Sequence, residues 1–217
     1  HPRRSVSRSN SIGSCCSCGE ESINDGSTIG SLEFYERVTP AYLNVFFATQ
    51  TGKAAYFASQ LQREGSGMGF DIAIRSVKTL DQESAQSLRQ LLIPHVTKSG
   101  KPRGRVVFVV STYREGGPTD DAAKFFNLLE SLQGSTGCLR GLRYSVFGIG
   151  DSSYSTTYNA QGKFYDRLFE QLGAKRLVPM GLGDASKDID FDFEHWKWTV
   201  FWPKFADLSA KDCRVIL

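Results

Sequence analysis

The sequence lacks the features that mark a membrane protein or a polyanion-binding protein. None of its apolar runs approaches the about 20 residues that a helix needs to span a bilayer. The net charge is +3, and no long block of like charge occurs. We therefore expect a soluble protein with no membrane partner, and the charge alone gives no indication of nucleic-acid binding.

Cysteine occurs in odd number and without the spacing of a disulfide framework. The five cysteines are Cys15, Cys16, Cys18, Cys138 and Cys213. Such a set is typical of a reducing compartment, so we expect a cytoplasmic protein, with an organelle left open. Cys15, Cys16 and Cys18 have no fourth ligand nearby, which favours a reducible loop over a metal or iron-sulfur site.

Histidine is scarce, with 3 in the chain, and this bears on a hydrolytic function. The tripeptide GDS at residues 150–152 could present a serine nucleophile. Only His195 follows it, on a predicted helix where it would be a surface or packing residue. Because a serine hydrolase needs a base beside its nucleophile, the sequence disfavours that class.

What the chain does contain is enough apolar residues for one core. Its 217 residues are 40% hydrophobic and 23% charged, which is the composition of one globular domain with tails. Residues 1–40 are rich in Ser, Gly and Arg and predict a flexible leader or linker. Residues 41–208 form the predicted domain, and residues 209–217 form a short tail.

Within that domain, strands alternate with helices. Apolar runs of strand length occupy residues 43–48, 70–77, 105–111, 142–150 and 175–184. A helical pattern follows each run, and the last one extends from about residue 190 to residue 205. Five such units predict an open parallel α/β sheet with helices on both faces and a ligand beyond the carboxyl ends of the strands.

The loop after the first strand, ATQTGKA at residues 48–54 (loop A), suits a phosphate group. A helix N-terminus carries unpaired N–H groups and the positive end of the helix dipole. The hydroxyl groups of Thr49 and Thr51, the permissive Gly52 and the cation of Lys53 all stand at this point. Taken by itself, loop A slightly favours an ordinary turn whose threonines cap the helix.

Two further loops follow the third and fourth strands and each contains a tyrosine. They are STYREGGPTDDA at residues 111–122 (loop B) and GIGDSSYSTTYN at residues 148–159 (loop C). Tyr113 and Tyr154 could sandwich a flat heterocycle, although a single loop tyrosine is usually a surface packing residue. The three loops together, in this order, imply flavin mononucleotide (FMN).

Several sequence words strengthen this interpretation through a resemblance to a known family. They are TQTGKA, STYREGGPTDDA, YSVFGIGDSSY, NAQGK, GAKRLVPMGLGD and the terminal W-x5-WP. From residue 43 to about residue 205 the chain resembles the flavodoxin-like, FMN-binding domain shared by diflavin reductases and by the tRNA wybutosine-synthesising enzyme 4-demethylwyosine synthase. The resemblance implies a doubly wound five-stranded parallel sheet of order 2-1-3-4-5.

The resemblance also implies which residues contact FMN. Around the phosphate it places Thr49, Gln50, Thr51, Gly52, Lys53 and Ala54. Around the flavin ring it places Ser111, Thr112, Tyr113, Arg114, Gly116, Gly150, Asp151, Tyr154, Asn159 and Asp184. No catalytic residue and no metal ligand are implied, because the flavin itself performs the redox step.

The chain departs from the family pattern at two positions. Lys53 stands where these loops usually place a threonine, so a point charge replaces a directed hydroxyl contact. Arg114 stands where many diflavin reductases have a glycine beside the stacking tyrosine. A positive φ is sterically unfavourable for a residue with a Cβ atom, so backbone conformations that glycine adopts easily should be less stable at Arg114.

Spacing bears on which branch of the family the chain resembles. Four residues, STTY, separate Tyr154 from Asn159, as in the wybutosine enzyme, whereas GAKRLVPMGLGD and FWPKF resemble a diflavin reductase. We first interpret the domain as passing single electrons to an iron-sulfur radical S-adenosylmethionine module. The alternative is an FMN domain that receives electrons from an NADPH/FAD reductase module and delivers them to haem or another acceptor. Either module would lie in the same parent chain or in a separate one. The cysteine motif of the iron-sulfur module, C-x3-C-x2-C, does not occur in this sequence.

Two other interpretations stay open at this point. The basic stretch with Lys98, Lys101, Arg103 and Arg105 could contact tRNA or an acidic partner domain, or it could be an ordinary solvated loop. The fold could also have lost its flavin and serve as a docking module.

Overall fold

The computed structural model describes residues 41–82, 84–96 and 102–214 of the chain. The predicted leader, with Cys15, Cys16 and Cys18, lies outside the described residues, as do Lys98 and Lys101. The predicted domain boundaries at residues 41 and 208 stay a prediction, although the last helix continues beyond residue 208.

One sheet forms the centre of the described residues. Its strands are β1 Tyr42–Ala48, β2 Asp71–Ser76, β3 His95–Val96, β4 Pro102–Ser111, β5 Leu142–Gly150, β6 Lys175–Arg176 and β7 Gly181–Asp184. The order is β2-β1-β4-β5-β6, with parallel pairing along this path, while β7 also pairs with β5 and the short β3 runs antiparallel to β4. The predicted order 2-1-3-4-5 is confirmed, with β6 and β7 together in the fifth position.

Helices cover both faces of the sheet. They are α1 Lys53–Gly67, α2 Ala85–Leu92, α3 Ala123–Ser131, α4 Ala160–Gln171, α5 Ile189–Trp196 and α6 Trp202–Arg214. Successive residues of β1 point to opposite faces, so Phe46 packs in one core with α2, α3 and α4. Val45 packs in the other core with α1, α5 and α6. None of these helices is long and apolar enough to cross a membrane.

Three sequence predictions need correction. The fifth strand is not continuous over residues 175–184, because its pairing with β5 is interrupted between β6 and β7, around Pro179, which has no N–H to donate. The last helix changes to a π-helix over Lys197–Phe201 and then continues to Arg214. Arg103 and Arg105 are not loop residues, since both lie in β4, where 6% of the surface of Arg105 is exposed.

The register of the strands places their carboxyl ends side by side. Ala48 of β1 pairs with Val110 of β4, and Ser111 of β4 pairs with Ile149 of β5. Gly150, the last residue of β5, pairs with Asp184, the last residue of β7. Loops A, B and C therefore leave the sheet at one edge, as the sequence predicts.

Candidate functional site

Loop A presents a set of unpaired backbone donors. Gly52 precedes α1 in a left-handed conformation with φ 95, and its N–H donates to the Thr49 hydroxyl at 2.9 Å. Among the described residues no acceptor bonds the backbone N–H groups of Gln50, Thr51, Lys53, Ala54 and Ala55. These donors stand at the positive end of α1, which is an arrangement that binds phosphate.

The ammonium group of Lys53 does not point into this set of donors. It lies 2.7 Å from both carboxylate oxygens of Asp190 in α5, and 5.1 Å from the centre of the Phe57 ring. The Lys53 side chain is therefore turned towards α5, whereas its backbone N–H lies among the unpaired donors of loop A. A bound phosphate would compete with Asp190 for this cation.

Loops A and B are joined by two adjacent carboxylates that the sequence analysis did not single out. Asp121 accepts from the Thr49 N–H at 3.2 and 3.3 Å, from the Thr119 hydroxyl, and from the Ser76 hydroxyl at 3.5 Å. Asp120 exchanges two hydrogen bonds with the Gln50 amide, at 2.9 and 3.1 Å. Paired carboxylates in a loop after a buried strand were the signal that could have identified them.

Loop B turns sharply around its tyrosine. The Tyr113 N–H donates to the Gly117 carbonyl at 2.9 Å, and Arg114 lies at the turn with φ 43. The Arg114 guanidinium stands 5.1 Å from the centre of the Tyr113 ring, and its hydrogen bond to Tyr113 raises the pKa of Arg114. Arg114 thus occupies the positive-φ conformation that the sequence analysis identified as costly for a residue with a Cβ atom.

Loop C has an exposed and a buried part. Tyr154 is 67% exposed, which is unusual for a large aromatic side chain and leaves its ring accessible to a ligand. Asn159 is fully buried, with φ 55, and donates to the Gly183 carbonyl at 3.1 Å. Its side chain holds loop C against β7, so a side-chain contact between Asn159 and the ring is not available.

Asp184 fastens loop C to the end of β7. Its carboxylate accepts from the Ser152 N–H at 2.9 Å and from the Ser186 hydroxyl at 2.8 Å, and it lies 3.2 Å from Lys187. The hydrogen bonds from Ser152 hold the pKa of Asp184 well below its ordinary value. The carboxylate of Asp184 is thus bonded within this chain, and its predicted position near the ring edge stays a prediction.

The depressed pKa of Asp184 predicts a pH dependence of stability. The ionised form is favoured in the folded state, so its contribution is complete above the ordinary value of 3.8 and is lost as the pH falls further. In urea unfolding, the stability gap between wild type and Asp184→Asn should be constant from about pH 7 to pH 5 and narrow below about pH 4. The control is Asp71→Asn, whose side chain is exposed. A gap at pH 3 equal to that at pH 7 would contradict the assignment.

Hydrogen bonds connect loop B to loop C as they connect loop A to loop B. The Thr112 N–H donates to the Ile149 carbonyl at 2.8 Å. Gln161, at the start of α4, donates to Thr112 and to Gly116. Ser111, Gly150 and Asp151 stand at the strand ends between these contacts. The three predicted loops therefore form one continuous rim.

Comparison with known proteins identifies the family to which the chain belongs. The family model for flavodoxin matches residues 45–196. The chain belongs to the flavodoxin family. A flavodoxin from Pseudomonas aeruginosa, solved as a cysteine mutant, is similar with a TM-score of 0.53 and 23% identity, over 78% of this chain and 97% of that one. This structural likeness confirms the flavodoxin fold.

The flavodoxin domain is also similar in sequence to much longer proteins. It is 36% identical to NADPH–cytochrome P450 reductase of Rattus norvegicus, over 75% of this chain and 22% of that protein. It is 32% identical to the Homo sapiens protein of that name, over 83% of this chain and 25% of that protein. The chain thus spans about a quarter of the length of these relatives, and the predicted resemblance to diflavin reductases is confirmed.

The cofactor implied by the flavodoxin family is FMN, and the residues of the rim fit it. Unpaired N–H groups at the start of α1 match a phosphate. The exposed ring of Tyr154 and the half-buried ring of Tyr113 match the flat isoalloxazine. The domain is an FMN-binding domain, as the sequence predicts.

The positive φ of Arg114 predicts a stability difference between two substitutions at this position. Arg114→Gly and Arg114→Ala both remove the guanidinium, but only alanine keeps a Cβ atom at φ 43. We expect the glycine variant to be more stable than the alanine variant by about 1 kcal/mol in urea unfolding of the apoprotein. Alanine equal to or better than glycine would show that residue 114 does not occupy this conformation in solution.

Proposed function

We propose that this chain is the FMN-binding electron-transfer domain of an NADPH-dependent diflavin reductase. The observation that carries the proposal is 36% identity to NADPH–cytochrome P450 reductase over 75% of the chain, combined with coverage of only 22% of that protein. The uncovered length has room for an NADPH/FAD module. In this proposal that module reduces the FMN, and the domain delivers electrons to haem or another acceptor.

Different residues of the rim would contact different parts of FMN. The N–H groups of loop A bind the phosphate, and Lys53 adds charge once Asp190 releases it. Tyr113 and Tyr154 bound the ring and keep water from its faces. Asp121 and Asp184 fix the loops at either end of the rim. FMN, when bound, supplies the one-electron chemistry, and the protein supplies its position and surroundings.

Reconstitution tests this proposal. The domain, loaded with FMN, is mixed with NADPH and an FAD-containing NADPH reductase module, and the absorbance of the FMN is followed without oxygen. We expect FMN reduction that depends on the module, followed by reduction of an added haem protein. A domain that takes up no FMN, or bound FMN that the module cannot reduce, would contradict it.

A second candidate is the electron-delivery domain of a radical S-adenosylmethionine enzyme of tRNA wybutosine synthesis. It is favoured by the four residues between Tyr154 and Asn159, which lengthen loop C. In the structure this stretch closes by hydrogen bonds from the Thr157 N–H to Tyr154 and from the Ala160 N–H to Thr157, both 3.0 Å. Reduction of an iron-sulfur module by the FMN domain, with no transfer to haem, would support this candidate over the first.

Contact with tRNA belongs to this second candidate. The buried Arg105 cannot take part, so the contact would depend on Lys98, Lys101 and Arg103. Neutralising Lys98 and Lys101 should weaken tRNA binding and reduce its salt dependence. Unchanged binding would remove tRNA from the proposal. The reducing, cytoplasmic location and the linker role of residues 1–40 stay predictions under both candidates.

A further inference from the structure

Gln161 connects α4 to both ends of the turn that carries Tyr113. Its backbone N–H donates to the Thr112 hydroxyl at 3.2 Å, and its side-chain Nε2 donates to the Gly116 carbonyl at 2.8 Å. The side chain is 5% exposed. One buried residue therefore holds residues 112 and 116 at a fixed distance from the helix, and the turn between them has both ends anchored.

This turn contains backbone that would relax if it were released. Arg114 has φ 43, and Gly116 has φ 90. A non-glycine residue at positive φ persists only where its surroundings impose that conformation. Arg114 is exposed, and the ring that its guanidinium contacts is that of Tyr113 in the same turn, so this contact does not fix the turn from outside. The hydrogen bond between Tyr113 and Gly117 closes this turn, and the anchors at Thr112 and Gly116 tie it to α4.

The amide of Gln161 is retained at a cost to folding. Its orientation is fixed, because the Gly116 carbonyl can only accept a hydrogen bond. The other atom, Oε1, is then buried with no donor among the described residues. A buried acceptor without a partner is destabilising, and an apolar side chain of the same length would avoid that penalty. Its contact with loop B, rather than core packing, accounts for a glutamine here.

We propose that Gln161 is a positioning residue of the FMN site, which fixes the turn of residues 112–116 so that Tyr113 is presented to the flavin ring. The inference rests on the FMN site described above. Among the described residues, Gln161 makes side-chain and capping hydrogen bonds to loop B and none to loop A, so we expect its effect on the ring and not on the phosphate.

The test compares Gln161→Met with Gln171→Met in the apoprotein. The two glutamines lie in the same helix, and Gln171 is exposed. We expect Gln161→Met to weaken the binding of FMN and of riboflavin by the same factor. The factor is about tenfold, for the loss of one hydrogen bond between uncharged groups. Equal loss for both flavins shows that the ring and not the phosphate is affected. The melting temperature should stay within about 3 °C, because the unpaired Oε1 is removed with the hydrogen bond.

A second variant, Gln161→Glu, keeps the shape of the side chain but places a carboxylate oxygen against the Gly116 carbonyl oxygen. It should weaken riboflavin binding more than Gln161→Met does. In both variants the apoprotein amide signals of residues 112–116 should shift before flavin is added. Flavin affinities within about twofold of wild type, with those signals unmoved, would overturn the role of Gln161. A wild-type domain that binds neither flavin would instead overturn the FMN site itself, and this proposal with it.

Discussion

Replacing Gly150 by alanine should weaken FMN binding by about 100-fold and lower the free energy of unfolding by about 2 to 3 kcal/mol. A Cβ atom at this position would lie 2.6 Å from the backbone nitrogen of Asn159 and 3.1 Å from its Cα atom. Backbone atoms cannot rotate away as a flexible side chain can. Loop C would therefore have to leave the end of β5 and carry Tyr154 with it.

The matched control for this substitution is Gly67→Ala at the end of α1, where an added Cβ atom meets nothing within 4 Å. It should leave FMN affinity unchanged and unfolding within about 0.5 kcal/mol of wild type. Urea unfolding and quenching of FMN fluorescence measure the two quantities. A Gly150→Ala variant that binds FMN as the control does would mean that the backbone of Asn159 in loop C does not pack against the end of β5 as described.

Asp121→Ala is the second large prediction, because this carboxylate serves donors from three elements. Its loss leaves the Thr49 N–H and the hydroxyls of Thr119 and Ser76 without their acceptor. We expect unfolding to become easier by about 2 kcal/mol and FMN binding to weaken by about 30-fold, as loop A loses its tie to loop B. Urea unfolding measures the change in stability, and quenching of FMN fluorescence measures the change in affinity, as for Gly150→Ala.

The neighbouring Asp120→Ala provides the comparison, since it removes the exposed hydrogen bond that the Gln50 side-chain amide donates to the carboxylate and keeps the one from the backbone N–H of residue 120. Its effect on unfolding should be about 0.5 kcal/mol. Asp121→Asn, which keeps one acceptor oxygen, should fall between the two alanine variants. If the two alanine variants behave alike, Asp121 does not organise the rim.

The sheet was predictable because its central strands are buried on both faces. Val106 to Val110 are all fully buried, so their sequence is apolar at every position instead of alternating. The position of loop A was also predictable, since the strand, the turn and the start of the helix are contiguous in sequence. The break in the fifth strand had a local signal in Pro179, which was not used.

The orientations of the site side chains were not predictable in this way, because they depend on distant partners. Lys53 is held by Asp190, 137 positions along the chain, and only the fold brings the two together. Asn159 was identified through the NAQGK word, but its burial follows from the close approach of Gly150, where no Cβ atom intervenes. A motif locates a residue at a loop, and the packing of that loop decides which of its atoms are free to bind.

The central claim is that loops A, B and C grip one FMN molecule. Adding FMN to the isotopically labelled apoprotein and following its backbone amide signals tests this most directly. We predict that the largest shifts fall together in residues 49–55, 112–117 and 150–159, and that riboflavin moves only the last two groups. Shifts confined to one loop, or centred on the groove that Tyr42, Asn44 and Arg75 line near the start of β1, would contradict this claim.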